Sequence, residues 1–358
     1  MRRIDYSFLK EKVSAQTLSL VSVISSNEGK EEIRKLQNPD LFDSLKYVAT
    51  KESIRYSNEI EGIVVSDERF KRITNGEKPI NHNEIEILGY KEAFEYINQH
   101  YDEIKINEDT IKSLHKTIMG NSRNSGEYKK GENNIVEFDD KGNRRVIFTP
   151  PNEKETPELM EQWVLAYNEA FNDSLISPLL LIPCAIVDFL SIHPFSDGNG
   201  RVSRLLTVLM LNKSGYDISR YISFETMIKE YLYGYYDALS KCNDGWKNNT
   251  NSYEPFIIYY LQILYMCYKK LDEMFITTSL KKVKKNERIE NVLMNSIVPI
   301  SKQDIMNYLP DVSQRSVEVT IQKLQKEDKI NKIGTTRDAR YIKKWFQILI
   351  TLKKYWVN

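Results

Sequence analysis

Apolar residues recur at three- and four-residue spacing over most of this chain. Segments around 41–60, 84–100, 108–119, 156–171, 200–213, 224–242 and 254–276 each carry such a stripe, which predicts amphipathic helices. Punctuation agrees: Ser177-Pro178 pairs a capping residue with proline at a first helical position, and Gly215 follows the stripe of Arg201–Lys213. Pro183 lies inside the apolar run 178–192, so a helix there either kinks or starts at that residue. One stretch changes period. Ile135–Phe138 and Arg145–Phe148 flank Asp139-Asp140-Lys141-Gly142-Asn143 and predict a β-hairpin closed off by Pro150-Pro151. After Lys281-Lys282-Val283-Lys284-Lys285 the pattern shortens to helices near 286–296, 301–308 and 313–327. Strands near 329–333 and 339–343 follow, around Gly334-Thr335-Thr336. That order is the order of a winged helix-turn-helix, with Ser313-Gln314-Arg315-Ser316-Val317 opening the helix suited to a DNA major groove.

At 358 residues the chain holds two or three domains of ordinary size and can bury about three quarters of its unfolded surface, so it needs no disulfide or metal staple. Charged residues at 28% and aromatics at 11% exclude a disordered chain. Cys184, Cys242 and Cys267 lie far apart without a C-x-x-C, which excludes a disulfide framework and fits a reducing compartment. The charged opening Met1-Arg2-Arg3-Ile4-Asp5-Tyr6 predicts no secretory signal. The apolar stretches Pro178–Leu190 and Phe256–Tyr268 fall short of the ~18 residues of a membrane span. The expected location is cytoplasmic, with no membrane partner. The net charge of +1 is a cancellation: residues 281–358 hold 17 Lys+Arg and 8 Asp+Glu, a net of +9, while residues 1–280 hold 34 and 42, a net of −8.

The stretch from Ile192 to Arg204 (IHPFSDGNGRVSR) carries the chemistry. An apolar helix runs into a polar, glycine-containing loop and then into a second helix. Gly198 and Gly200 allow successive N–H groups to face one concavity, and the helix that follows adds free N–H groups and its positive dipole end. Arg201 and Arg204 add fixed positive charge, a combination suited to a polyphosphate. His193 at the loop entrance can accept a proton near neutral pH, and Asp197 can hold a hard cation beside phosphate oxygens. These are the parts needed to attack a nucleotide phosphate with a hydroxyl.

Residues His193 to Arg204 match the Fic motif, HPF-x-[DE]-GNGR-x-x-R, at every fixed position, and the chain resembles the Fic family over about residues 40–275. Gly126-Glu127-Tyr128-Lys129, the hairpin "flap", and Tyr235-Tyr236 followed by Asn243 keep the family's order. The resemblance implies a mainly α fold, a Fic-type helical core with a β-hairpin flap, followed here by the small winged helix-turn-helix domain. The expected divisions are a helical region 1–110 carrying an inhibitory helix (about 50–62), a catalytic core 111–280 with its flap (about 134–149), and 281–358 with a C-terminal extension. It implies transfer of AMP from ATP to a Ser, Thr or Tyr hydroxyl of a target protein docked on the flap, with release of pyrophosphate. In that reading His193 is the general base and Asp197 binds Mg²⁺ (or Mn²⁺). Gly198, Asn199 and Gly200 form the anion hole, Arg201 meets the β-phosphate side and Arg204 the γ-phosphate. Val202 and Ser203 belong to the same ATP-binding stretch, and Tyr236, with Tyr235 and Asn243, borders the adenosine.

Ser57-Asn58-Glu59-Ile60-Glu61-Gly62 matches the family's inhibitory pattern [ST]-x-x-x-E-[GN]. The resemblance implies that Glu61, with Ser57, occupies Arg204 and excludes the γ-phosphate, leaving the enzyme autoinhibited. Two other readings stand beside it: a DNA-binding regulator whose Fic core senses nucleotide, and a bifunctional enzyme that also removes AMP. A homodimer is expected. His82, His100 and His115 have no partner at metal spacing and receive no role.

Overall fold

The computed structural model describes residues 2–11, 13–138, 144–279, 284–296, 299–334 and 339–344. Helices α1 (Ala15–Gln37), α2 (Pro39–Ile60), α3 (Asp67–Thr74), α4 (His82–His100) and α5 (Glu108–Met119) come first. Side-chain oxygens cap four of them: Ser14, Ser66, Asn81 and Asn107 accept from the backbone N–H groups of Thr17, Arg69, Glu84 and Thr110. Helix α2 instead starts with proline at its first position and ends at Ile60, with Glu61 capping it and Gly62 beyond at φ 79°. Helices α4 and α5 cross closely enough that a Cβ on Gly89 would lie 2.1 Å from the Thr117 carbonyl oxygen.

Strands β1 (Ile135–Phe138) and β2 (Arg144–Phe148) pair antiparallel, with a register irregularity between Ile135 and Val136. The expected turn, Asp139–Asn143, lies outside the described residues, as do Lys281–Val283, Thr335-Thr336 and the extension 345–358. Helices α6 (Thr156–Phe171), α7 (Pro178–Ile192) and α8 (Asn199–Lys213) follow. Helix α7 starts at Pro178 and runs through Pro183 without ending. Nearly every residue of α7 and α8 is buried, which makes this pair the centre of the hydrophobic core. The segment read as one helix over 224–242 is two, α9 (Phe224–Glu230) and α10 (Leu232–Asn243), broken at Tyr231. Helix α11 (Glu254–Ser279) closes the body against α1. The N-terminal segment is tied down beside it, because Arg2 pairs with buried Asp188 of α7 at 2.9 Å and stacks over Trp246.

The tail contains α12 (Lys285–Asn295), β3 (Ile300–Ser301), α13 (Lys302–Tyr308), α14 (Gln314–Lys326), β4 (Ile330–Ile333) and β5 (Arg340–Lys343). Its strands form an antiparallel sheet of order β3-β5-β4 over Ile289, Leu293, Ile305, Val317, Ile321 and Leu324, all buried. Among the described residues no helix is long and apolar enough to cross a membrane.

Candidate active site

The turn between α7 and α8 places the candidate chemistry on two buried helices. His193 ends α7 in the left-handed region, at φ 50° and ψ 61°, which turns its ring out of the helix line. Its Nδ1 lies 3.1 Å from the Leu190 carbonyl oxygen. A carbonyl only accepts, so Nδ1 carries the proton and Nε2 keeps its lone pair. Burial pushes the His193 pKa down to about 4, and neighbouring Lys129 adds to the shift, so the ring is neutral at physiological pH.

The loop is braced from several sides. Lys129 donates to the Ile192 carbonyl at 3.0 Å through Nζ, and to the Pro194 carbonyl at 2.8 Å through its backbone N–H. Asn133 Nδ2 donates to the carbonyls of His193 at 2.9 Å and Phe195 at 2.8 Å. Burial brings the Lys129 pKa down to about 8. His115, which sequence reasoning left without a role, stacks on Phe195 with ring centroids 3.8 Å apart and planes 3° apart. It accepts from the Gly126 N–H at Nδ1 and donates through Nε2 to the Asp197 carbonyl at 3.1 Å. Burial, with Arg201 nearby, lowers its pKa to about 4. Only the distance in sequence, 82 residues from Asp197, hid this role.

Gly198 opens α8 at φ 77°, and the first-turn N–H groups of Asn199, Gly200 and Arg201 have no acceptor inside the helix. The Asn199 side chain is already committed: it accepts from the Phe195 N–H at 2.9 Å and donates to the Phe195 carbonyl at 2.8 Å. Its share in any anion hole is therefore its backbone. Asp197 is 72% exposed and accepts from the Gly198 N–H at 2.6 Å.

Both arginines are buried and paired. Arg201 bonds Glu86 of α4, and its Nη2 lies 3.9 Å from Asp197 Oδ1. Glu86 in turn lies 2.7 Å from His82 Nε2. Arg204 donates from Nε to Ser57 Oγ at 2.8 Å, and from Nη2 to the Ser57 carbonyl at 2.9 Å and to Glu61 Oε1 at 2.7 Å. Burial opposes the Arg204 charge, and Glu61 more than restores it, so its pKa moves up. The Glu61 carboxylate lies directly over the first turn of α8: a Cβ on Gly200 would be 2.2 Å from Glu61 Oε1.

The remaining expected residues divide. Val202 is fully buried and its N–H bonds the Gly198 carbonyl, so neither its side chain nor its N–H is available to a ligand. Ser203 Oγ donates to the Gly200 carbonyl at 2.7 Å, holding the first turn. Tyr235 sits in the core against Phe256 and Tyr259, while Tyr236 beside it is 51% exposed. Asn243 accepts from Ser191 Oγ at 2.8 Å. Among the described residues no three His, Cys, Asp or Glu side chains cluster as a metal site.

A helical body with a two-stranded hairpin around this loop has a known counterpart. The fold is a Fic fold. Residues 105–211 match the model of the Fic/DOC family, which takes in α5, the hairpin and the loop through most of α8. A Fic family protein from Desulfovibrio desulfuricans G20 superposes with a TM-score of 0.61 at 20% identity, covering 94% of this chain and 98% of that one. A Fic domain containing signaling protein from Bacteroides thetaiotaomicron VPI-5482 gives 0.55 at 23%, covering 72% and 95%. Among curated relatives, a protein adenylyltransferase Fic of Nematostella vectensis is 26% identical over 207 residues, 54% of this chain and 43% of that protein. One of Aedes aegypti is 30% identical over 180 residues, 48% and 31%. The chain thus spans less than half the length of these curated relatives.

Proposed function

We propose that this Fic chain is a protein adenylyltransferase held inactive by Glu61. The observation that supports it most is the neutral His193, with Nε2 unprotonated, beside an open helix turn flanked by Arg201 and Arg204. The target hydroxyl oxygen attacks the α-phosphorus of ATP. Its proton passes to Nε2 of His193, and the bond to the bridging oxygen breaks, releasing pyrophosphate. The first-turn N–H groups of α8 and the two arginines take up the charge of the phosphates. Asp197 is the residue that would hold Mg²⁺ (or Mn²⁺); one exposed carboxylate fits an ion that fills its other positions with phosphate oxygens and water, and the ion supplies charge neutralisation. Tyr236 offers its exposed ring to the adenine, and the hairpin offers an edge on which a target segment can add as a strand.

Inhibition follows from competition. Arg204 cannot hold Glu61 and a γ-phosphate together, and the Glu61 carboxylate already stands over Gly200, where a phosphate would lie. Incubation with α-labelled ATP tests this: Glu61→Gly increases protein labelling by on the order of 10–100-fold, and His193→Ala in that background removes at least ~100-fold of it while nucleotide binding persists. Silence of Glu61→Gly across metals and target lysates sinks the reading.

We read the tail as a winged helix, the region 1–110 as the inhibitory region and 111–280 as the catalytic core. The order of helices and the β3-β5-β4 sheet support the tail's reading, and Arg315 stands exposed at the start of α14. A gel shift on a salt series tests DNA as its partner, since phosphate contacts weaken steeply with salt.

A further inference from the structure

Glu61 caps the C-terminal end of α2, and a continuous line of charged groups joins that end to the C-terminal unit. Arg340 on β5 donates to Asp67 Oδ2 at 2.7 Å and to the Pro299 carbonyl at 3.1 Å. Asp67, the first residue of α3, uses its other oxygen on Arg55 of α2. Arg55 Nε donates to Glu59 Oε1 at 2.7 Å, and Lys229 of α9 donates to the Glu59 carbonyl at 3.2 Å. Glu59 stands two residues before Glu61. Burial raises the Asp67 pKa less than Arg340 and Arg55 lower it, so the central link stays charged.

The junction is also incompletely filled. A cavity of about 410 Å³ lies between the two units, lined by Glu52, Arg55 and Asp67 from the body and by Lys302, Asp304 and Arg340 from the tail. Helix α13 packs on α2 beside this space, and the partly exposed bridges of Arg340, Asp67 and Arg55 at its edge are the part of the contact that weakens with salt. The rest of α2 has its own anchors, including Ser53 Oγ on Ser223 Oγ at 3.0 Å, so opening the junction shifts the helix end rather than the whole helix. The inhibition proposed above requires a second arrangement of that end, with Glu61 off Arg204, and it is this equilibrium that the junction can bias.

We propose that the C-terminal unit is a latch: through Arg340, Asp67, Arg55 and Glu59 it holds the Glu61-bearing turn on Arg204, and undocking the unit releases the active site. This rests on the inhibitory role of Glu61 proposed above. A partner that draws the tail away from α3 therefore activates the enzyme.

The test uses the full chain with Arg340→Gln and Asp67→Asn, singly and together, read by transfer from α-labelled ATP and by hydrogen exchange of amides 57–62. Each single variant raises labelling about 5-fold, the low end of ordinary coupling, and speeds exchange at 57–62 by a similar factor. The double variant exceeds the larger single one by little, because both cut one line. In a Glu61→Gly background neither changes labelling. If Asp67→Asn fails to fold, Arg340→Gln carries the test alone, since it leaves the links among Asp67, Arg55 and Glu59 intact. Unchanged exchange in both variants, or an equal rise when Glu61 is already absent, overturns the latch. If Glu61→Gly shows no transfer at all, the enzyme reading fails, and exchange at 57–62 still decides whether the latch exists.

Discussion

Arg201 and Arg204 lie three residues apart on one helix, both buried and both paired with a glutamate from the N-terminal region, yet the two pairs are built differently. Glu86 comes from the interior of α4; its side chain is 5% exposed and its second oxygen is held by His82. Glu61 comes from the end of α2, where the helix gives way to Gly62 at φ 79°, and its side chain is 29% exposed. Arg204 also keeps two bonds to Ser57 that do not involve Glu61. The difference teaches that one acid is part of the core, while the other sits at its edge, where the removable cover proposed above would have to be. On the inhibition proposed above, a nucleotide displaces Glu61 and leaves Arg204 bonded to Ser57, whereas loss of Glu86 would strand a buried guanidinium.

The sharpest way to break this comparison is to remove each carboxylate and measure stability. Glu86→Gln leaves Arg201 buried without its counter-charge and should cost about 3–5 kcal/mol in urea unfolding, the usual result of breaking a buried ion pair from one side. Glu61→Gly should cost less, about 1–3 kcal/mol, because Arg204 loses its counter-charge but keeps its two bonds to Ser57. Equal costs would mean that Glu61 is as structural as Glu86, and the removable-cover reading would fail.

Acid sharpens the same contrast, since His115 sits between Arg201 and the loop. Both His115 and His193 have folded pKa values of about 4 against an ordinary value of 6.5. Between pH 6.5 and about 4 the unfolded chain binds the proton that the folded chain refuses, so stability is complete above 6.5 and falls as pH drops through this window. Each ring should account for on the order of 2–3 kcal/mol by pH 4.5. Urea melts of wild type and His115→Asn at pH 7 and 4.5 should show the variant losing less on acidification. A variant that loses as much as wild type would show that His115 is not held neutral.

How much of this was legible in the sequence depended on whether the parts were close along the chain. The loop from His193 to Arg204 is contiguous, so its glycines, acid and arginines could be read together, and the Ser57–Glu61 spacing gave the cover. Glu86 and His115 act on the same loop from 115 and 82 residues away, and nothing local distinguishes them from an ordinary helical acid and an ordinary core ring. Helix α1 is hard to read because the apolar part of its inner face, Leu20, Val21 and Ile24, spans barely one turn, and the face continues through buried Asn27 and Glu31. Burial there, with Asp217 near, pushes the Glu31 pKa up to about 8. Strand β3 has only two residues, too few for any period, and the break at Tyr231 between α9 and α10 carries no glycine or proline. Val202, named with the motif, and Tyr235, named with its neighbour Tyr236, both bury their side chains in the core, which the sequence around them does not signal.

The smallest expected effect is also the most specific. In the present geometry a methyl group on Gly200 would stand 2.2 Å from Glu61 Oε1, 3.1 Å from Glu61 Cδ and 3.2 Å from Arg204 Nη1, with no backbone atom among these neighbours. Gly200 lies within α8, where alanine is otherwise the better helix former by about 1 kcal/mol. Gly200→Ala should therefore destabilise the wild-type chain by on the order of 1 kcal/mol, because the flexible Glu61 carboxylate must swing off Arg204 to make room. In a Glu61→Gly background the same change should be neutral or stabilising by up to about 1 kcal/mol, because the clashing carboxylate is gone and the helix propensity remains. A double-mutant cycle of Gly200→Ala with Glu61→Gly, followed by thermal unfolding, reads this coupling directly. Its sign reports where the Glu61 carboxylate rests in solution: strong coupling puts it over the first turn of α8, and additivity would put it elsewhere and separate Arg204 from its cover.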